Sequence, residues 1–215
     1  MKHMKIAALL MFSTVLFGCA SSRSVIEVQS PQGTNGTGQK VTISAIDERR
    51  FEAAPKQADT PSLKNVEEIT DKKITGRAIG RKRNGYGMAM GDVLLPEGVT
   101  VSQLIERSIA EGYRKAGYQV VESAEKNGET QAVTVHITEF WSWFSPGAFS
   151  IAVNNKARLN IRVTGEATPI NLITDKRESM QLVVESDWKV ITEEGLQAIT
   201  EATVKELCSK KSCTK

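Results

Sequence analysis

Little in this sequence invites catalysis. Among 215 residues there are two histidines and three cysteines. Beyond the first eighteen residues His136 is the one remaining histidine, in an alternating run whose Val133, Val135 and Ile137 share a face while His136 points the other way. A zinc site needs three or four converging ligands, and neither a second histidine nor a close cysteine pair supplies them. General-base catalysis needs a nucleophile within hydrogen-bond reach of the base, and the pattern marks no such pairing. His136 is therefore expected to be a strand residue facing solvent or a helix, and no metal or cofactor is expected. Excess charge is scarce too. The 28 basic residues outnumber the 25 acidic ones by three, and by one once residues 1–18, with Lys2 and Lys5, are set aside. A nucleic-acid binder gathers positive charge on one face, so no nucleic acid is expected as a partner. Nor is there a long apolar run: residues 6–17, interrupted by Ser13 and Thr14, fall short of the roughly twenty that a membrane-spanning helix needs.

That short run has a different use. Lys2, His3 and Lys5 give a positive start, the apolar stretch follows, and Gly18 is the small residue a cleavage site requires, so residues 1–18 form an export signal. Leu16-Phe17-Gly18-Cys19 resembles the lipobox read by lipoprotein signal peptidase. By that resemblance Cys19 carries a thioether-linked diacylglycerol and an acylated amino group. At about 0.8 kcal/mol per buried methylene, several acyl chains anchor a protein stably to a membrane. An ordinary secretory signal with an incidental cysteine is the alternative. Ala20 and Ser21 stand where an aspartate commonly retains such proteins in the inner membrane, so by resemblance to that sorting rule the outer membrane is expected, with the domain facing the periplasm. Residues 19–39 have almost no apolar period and include Ser-Pro-Gln-Gly-Thr-Asn-Gly-Thr-Gly, a composition expected to form a flexible lipidated tether.

Residues 40–208 suffice for one domain with its own core and are too few for two, leaving 209–215 as a tail. Cys208 and Cys213 lie at that boundary. In an oxidising compartment two leftover cysteines pair, provided the helix ends near Cys208 so that the Cα atoms approach within about 7 Å. Two free thiols on a frayed tail are the alternative. Either way the spacing differs from the Cys-x-x-Cys of a redox thiol.

Alternation predicts a strand over 40–46, with Val41, Ile43 and Ala45 on one face. A long excursion over 50–71 carries two prolines and little period, and a short strand is expected over 74–79. Gly76, Gly80, Gly85, Gly87 and Gly91 punctuate the stretch before residues 92–95. Thr100-Val101-Ser102-Gln103 has the capping-box pattern, Val101, Leu104, Ile105, Ile109 and Tyr113 recur at helical spacing, and Gly117 supplies a left-handed cap, predicting a helix over 101–116 and a strand over 118–122. Strands are predicted over 132–143 and 149–163, joined by the turn Ser145-Pro146-Gly147-Ala148, and again over 180–190. A last helix is predicted from Thr192, with Leu196, Ile199, Thr203 and Leu207 as its inner stripe. The expected class is α+β: a single domain, mainly antiparallel sheet, with two helices packed on one face.

A resemblance attaches to several of these pieces. Val41-Thr-Ile-Ser-Ala-Ile-Asp47-Glu48-Arg49-Arg50, Ile79-Gly80, the helix, and Ala116-Gly117-Tyr118-Gln119-Val120 resemble the YajG-like family of bacterial lipoproteins, in which an early strand ends in an Asp-x-Arg-type motif and a helix runs into a Gly-aromatic-x-Val turn. The resemblance implies an outer-membrane lipoprotein and no particular activity.

Three clusters are candidates for function. Asp47, Glu48, Arg49 and Arg50 end the first strand; an Asp–Arg pair there can bind a carboxylate or phosphate through bidentate arginine, or Asp47 can cap the following loop while Arg49 or Arg50 ties it down, which is the favoured role. Arg81-Lys82-Arg83-Asn84-Gly85-Tyr86-Gly87 matches neither a dinucleotide fingerprint nor a P-loop and is either a loop touching lipid phosphates or, preferably, a solvated one. Phe140, Trp141, Trp143, Phe144 and Phe149 are five of the twelve aromatics, within ten residues. On a strand Trp141 and Trp143 face one way, Phe140 and Phe144 the other. They form either a thick core or a docking tip, with Trp141, Trp143 and Phe144 as the partner-binding residues and docking slightly favoured for one of the tryptophans. The leading expectation is a non-enzymatic envelope lipoprotein that binds an envelope protein partner. A carrier of a lipid or cell-wall fragment and a hydrolase using His136 are the rivals.

Overall fold

The computed structural model describes residues 23–84, 86–122, 130–147 and 150–210. Its strands are β1 (Ser24–Val25), β2 (Lys40–Asp47), β3 (Ala78–Arg83), β4 (Ala89–Leu94), β5 (Gln119–Val120), β6 (Gln131–Pro146), β7 (Ile151–Val163) and β8 (Ile170–Met180). The helices are a 3₁₀ turn at Val66–Thr70, a single turn α1 (Lys72–Thr75), and the two long helices α2 (Val101–Lys115) and α3 (Glu185–Lys210). The capping box of α2 is formed: Gln103 N donates to Thr100 Oγ1 and Thr100 N to Gln103 Oε1. At the other end Gly117, at φ +94°, lets Tyr118 N donate to the Tyr113 carbonyl and Gly117 N to that of Arg114, a Schellman closure.

All eight strands form one sheet. It is mixed rather than mainly antiparallel: four of the seven pairings, β1–β4, β2–β5, β2–β6 and β3–β6, are parallel. The cause is α2, which carries the chain back across the sheet between β2 and β5, so that both β5 and β6 run alongside β2 in its own direction. Antiparallel pairing belongs to the β3–β4 hairpin and the meander β6–β7–β8.

β6 organises the sheet. One edge pairs with β7 throughout. The other is divided: residues 131–137 pair with β2, and Ser142 pairs with Gly80 of β3, leaving a gap between the two half-sheets. A bulge between Ile137 and Glu139 shifts the alternation within β6. Val133, Val135 and Ile137 are therefore followed on the helix-covered face by Phe140, and Trp141 turns to the opposite face.

α2 and α3 pack on one face of the sheet over Val41, Ile79, Val133, Ile137, Phe140, Leu159 and Leu172. The opposite face is covered near Trp141 by the excursion after β2, which brings Leu63, Phe51, Ile69 and Ile74 down onto it. Both faces of the aromatic strand are thus satisfied by different parts of the chain.

Three further expectations are corrected. The strand expected over 180–190 is replaced by the end of β8 and the start of α3: Val184 N donates to Asp187 Oδ2, half of a capping box, and Trp188, Ile191, Leu196 and Ile199 already follow helical spacing. The short strand over 74–79 is divided, because Asp71 caps α1 by accepting from Lys73 N, and β3 begins only at Ala78.

The third concerns the tether. Residues 23–38 are a strap bound along the domain. Ser24 and Val25 pair with β4, Ile26 N donates to the Leu94 carbonyl, and Ser30 Oγ donates to that of Leu104. Gly36 N and Gly38 N then reach the carbonyls of Tyr118 and Gly117. The glycines that suggest flexibility permit close approach instead: a Cβ on Gly36 would lie 2.2 Å from the Gly117 oxygen, and one on Gly33 2.4 Å from a Glu111 carboxylate oxygen. Residues 19–22 lie outside the described residues.

Candidate functional site

The Asp47–Arg49 pair sits in the gap along the edge of β6. Arg49 Nε donates to Asp47 Oδ1 at 2.8 Å and one terminal nitrogen to Asp47 Oδ2 at 2.7 Å, and that nitrogen also reaches the Thr75 carbonyl at 2.8 Å. The other terminal nitrogen donates to the carbonyls of Ala78 at 2.7 Å and Phe140 at 3.1 Å. A guanidinium has five N–H donors, and each has a partner here. Arg49 thus joins the end of β2, the turn after α1, the start of β3 and the middle of β6, and retains no donor for a ligand. Phe51 lies 5.4 Å from its guanidinium carbon and stands edge-on to Trp141 at 5.8 Å.

Arg50 takes no part in this knot. It is exposed and lines a polar cleft of about 530 Å³ with Glu48, Glu52, Thr60, Pro61, Thr138, Glu139 and Lys156. Three carboxylates and two cations face this space, partly paired with one another and their neighbours: Lys156 Nζ lies 2.9 Å from Glu139 and 3.2 Å from Asp59, and its ammonium stands 6.0 Å from the Trp143 ring. At the rim Glu48 Oε1 is 2.8 Å from His136 Nδ1. Two residues along the same strand, the Thr138 hydroxyl donates to the Arg158 carbonyl. The arrangement can hold a polar group by charge complementarity. Among the described residues no cluster of three or more histidine, cysteine or acidic side chains can hold a metal.

The aromatic strand is divided between two cores. Trp141 is fully buried with Leu63, Ala78 and Leu94, so it is not available to a partner, and its indole N–H has no hydrogen-bond acceptor among the described residues. Trp143 is half-buried beside it and donates to Ser145 Oγ at 3.2 Å. Phe144, on the helix side, stacks on Trp188 of α3 at 4.1 Å. Trp188 is the large core residue that sequence reasoning missed, since residues 188–191 suit a strand as well as a helix start. Phe149 lies outside the described residues.

Cys19 and Cys213 also lie outside the described residues. Cys208 is half-buried two residues before the end of α3 and is disulfide-bonded. Arg81, Lys82 and Arg83 form the outer part of β3, and Tyr86 and Met88 beyond them are exposed. Strap residue Arg23 pairs with Glu68 and, at 3.1 Å, with the buried Asp92, while Lys82 Nζ donates to Ser24 Oγ.

No family model and no curated protein matches this chain. Among solved structures it is similar to an uncharacterized protein, with a TM-score of 0.48 at 9% identity over 87% of this chain and 99% of that one. It is also similar to a Xanthomonas campestris protein of the family DUF330, with a TM-score of 0.45 at 10% identity over 90% of this chain and 98% of that one. A third similar structure is described as a "putative neuraminyllactose-binding hemagglutinin homolog" from Helicobacter pylori, with a TM-score of 0.35 at 10% identity over 86% and 95% of the two chains. These likenesses carry no activity to this chain, and none of them names the YajG-like family.

Proposed function

We propose that this protein is a non-enzymatic lipoprotein of the bacterial envelope, of YajG-like character, anchored by lipid on Cys19 to the outer membrane and working by binding a partner in the periplasm. The observation that carries the reading is the strap. A lipobox-like sequence ends four residues before Arg23, where the chain is bound to the domain through Glu68 and Asp92. An anchor at that position would hold the domain directly at a membrane. The partner surface in this reading is the polar cleft around Arg50 and Lys156 rather than the aromatic hairpin, whose Trp141 is inside the fold. A lipid carrier has less support, since the void beside Tyr113, Tyr118 and Leu207 between sheet and helices measures about 20 Å³.

The test of the anchor is Cys19→Ser in cells supplied with labelled palmitate. The parent should take up label and fractionate with outer membranes, and the variant should lose both; continued labelling of the variant would refute the assignment. For the partner, photocrosslinking from position 50 should capture an envelope protein that crosslinking from position 167, on the distant β7–β8 turn, does not.

A further inference from the structure

We propose that the end of the domain formed by the β3–β4 tip and the loop between β8 and α3 rests in the bilayer surface, with Tyr86, Met88, Leu182 and Val184 entering the headgroup region and Arg81 and Arg83 facing lipid phosphates. This rests on the lipid-anchor reading and adds an orientation to it. Tyr86, Met88, Leu182 and Val184 are 92%, 61%, 74% and 50% exposed, and they come from two segments far apart in sequence. Among the described residues the other exposed large apolar side chains, Val25, Ile46, Val66, Ile173 and Val190, are scattered singly over five different elements.

Register brings the two segments to one end of the sheet. Gly80 of β3 is level with Ser142 of β6 and the two strands run parallel. Pro146 of β6 is level with Ile151, and Ile151 with Met180 at the end of β8. Asn84 and Met180 therefore leave the sheet at about the same height, and Tyr86 and Leu182 both lie beyond it. Lys82 Nζ, 4.0 Å from Glu185, links the hairpin to the first residue of α3.

The direction of the strap supplies the occupant. β1 runs parallel to β4 with Ser24 opposite Val93, so the chain traced backwards from Ser24 heads along β4 towards Ala89 and the tip. Arg23 beside Asp92 already takes that direction. Arg23 lies four positions after Cys19, a reach of at most about 14 Å, and Asp92 likewise lies four positions after Met88. Acyl chains on Cys19 would leave the domain where the apolar tip stands. Tyrosine suits such a depth because its ring is apolar and its hydroxyl stays wet. The cations below the tip complement anionic headgroups. Arg81 and Arg83 share one face of β3 just below the tip, and Arg83 also donates to the Gly87 carbonyl within it at 3.0 Å.

The experiment uses full-length lipidated protein carrying Tyr86→Trp, reconstituted in phosphatidylethanolamine–phosphatidylglycerol vesicles whose lipids are brominated near the ester end of the acyl chains. The native indoles at 141 and 188 are buried and that at 143 is half-buried, and the parent protein in the same vesicles supplies their background. Bromolipid should remove most of the emission added by the substitution, and Leu182→Trp should behave in the same way. Ala167→Trp, on the turn at the opposite end, should keep its emission. Mass spectrometry of the N-terminal peptide reports the lipid independently. Lipid on Cys19 with an unquenched indole at 86 overturns the orientation and leaves the anchor; absence of lipid overturns both.

Discussion

Replacing Arg49 by methionine keeps the length of the side chain and removes all five donors. The Phe140 carbonyl lies in the gap where β6 has left β2 and has only begun to meet β3, and the guanidinium stands in for the missing strand. The carbonyls of Thr75 and Ala78 lose the same partner. A hydrogen bond to a charged group is worth about 1.5–3 kcal/mol, and removing one member of a buried pair costs about 3–5 kcal/mol. These figures describe overlapping losses and do not add, so the expected cost is about 3–5 kcal/mol, a large part of the roughly 5–15 kcal/mol that holds a domain folded. Urea denaturation reads it as a lower midpoint at unchanged slope. Arg49→Lys keeps the charge on a single nitrogen that cannot span four acceptors, and should recover less than half of the loss. Combining Arg49→Met with Asp47→Ala decides which acceptors matter. If the carbonyls dominate, the double variant stays as unstable as Arg49→Met; if the orphaned carboxylate dominates, it recovers. A loss below about 1 kcal/mol for Arg49→Met would refute the role of the knot.

Trp141→Ala should cost about 3–5 kcal/mol, Trp143→Ala clearly less because its ring is half-buried, and Trp141→Phe less still because the indole N–H it removes has no partner among the described residues; thermal melts rank the three, and an unaltered melt for Trp141→Ala would return that residue to the surface. Burial holds the Glu106 carboxyl above its ordinary range, against the opposing pull of the Ala45 backbone N–H and of Arg107. A raised carboxyl binds its proton more readily in the folded state, so folding gains as pH falls through the interval above 4.5. Glu106→Gln should therefore be the more stable protein at neutral pH, with the difference closing as pH drops to 4.5 and below, as measured by denaturation at each pH.

What was legible in the sequence was local. The α2 capping box, the Gly117 closure and the strand before Asp47 each depend on residues within a few positions of one another, and each forms as its pattern implies. The division of Trp141 and Trp143 from Phe140 and Phe144 also follows from strand alternation alone. Strand direction was not legible, because it depends on where α2 returns the chain. The bulge after Ile137 was not legible either, since an extra residue in one strand shows only against its partner. For the candidate site, the Asp–Arg motif drew attention to the right residues, but only the structure separates Arg49, fully committed to backbone, from Arg50, free to line a cleft. The strap was misread because glycine and asparagine serve a loose linker and a chain pressed against another backbone equally well.

The strap also changes how such a protein would meet a partner. A loose chain of about twenty residues has a span of roughly 25 Å, and a domain on it sweeps a hemisphere of that radius. With the chain fixed from Arg23 onward, four residues allow at most about 14 Å, and the volume searched falls roughly sixfold. Local concentration within that thin layer rises by the same factor and drops to nothing outside it. An anchored protein built this way would be a post rather than a line: it would favour partners already lying close to the same bilayer, and those spanning the periplasm would have to come to it.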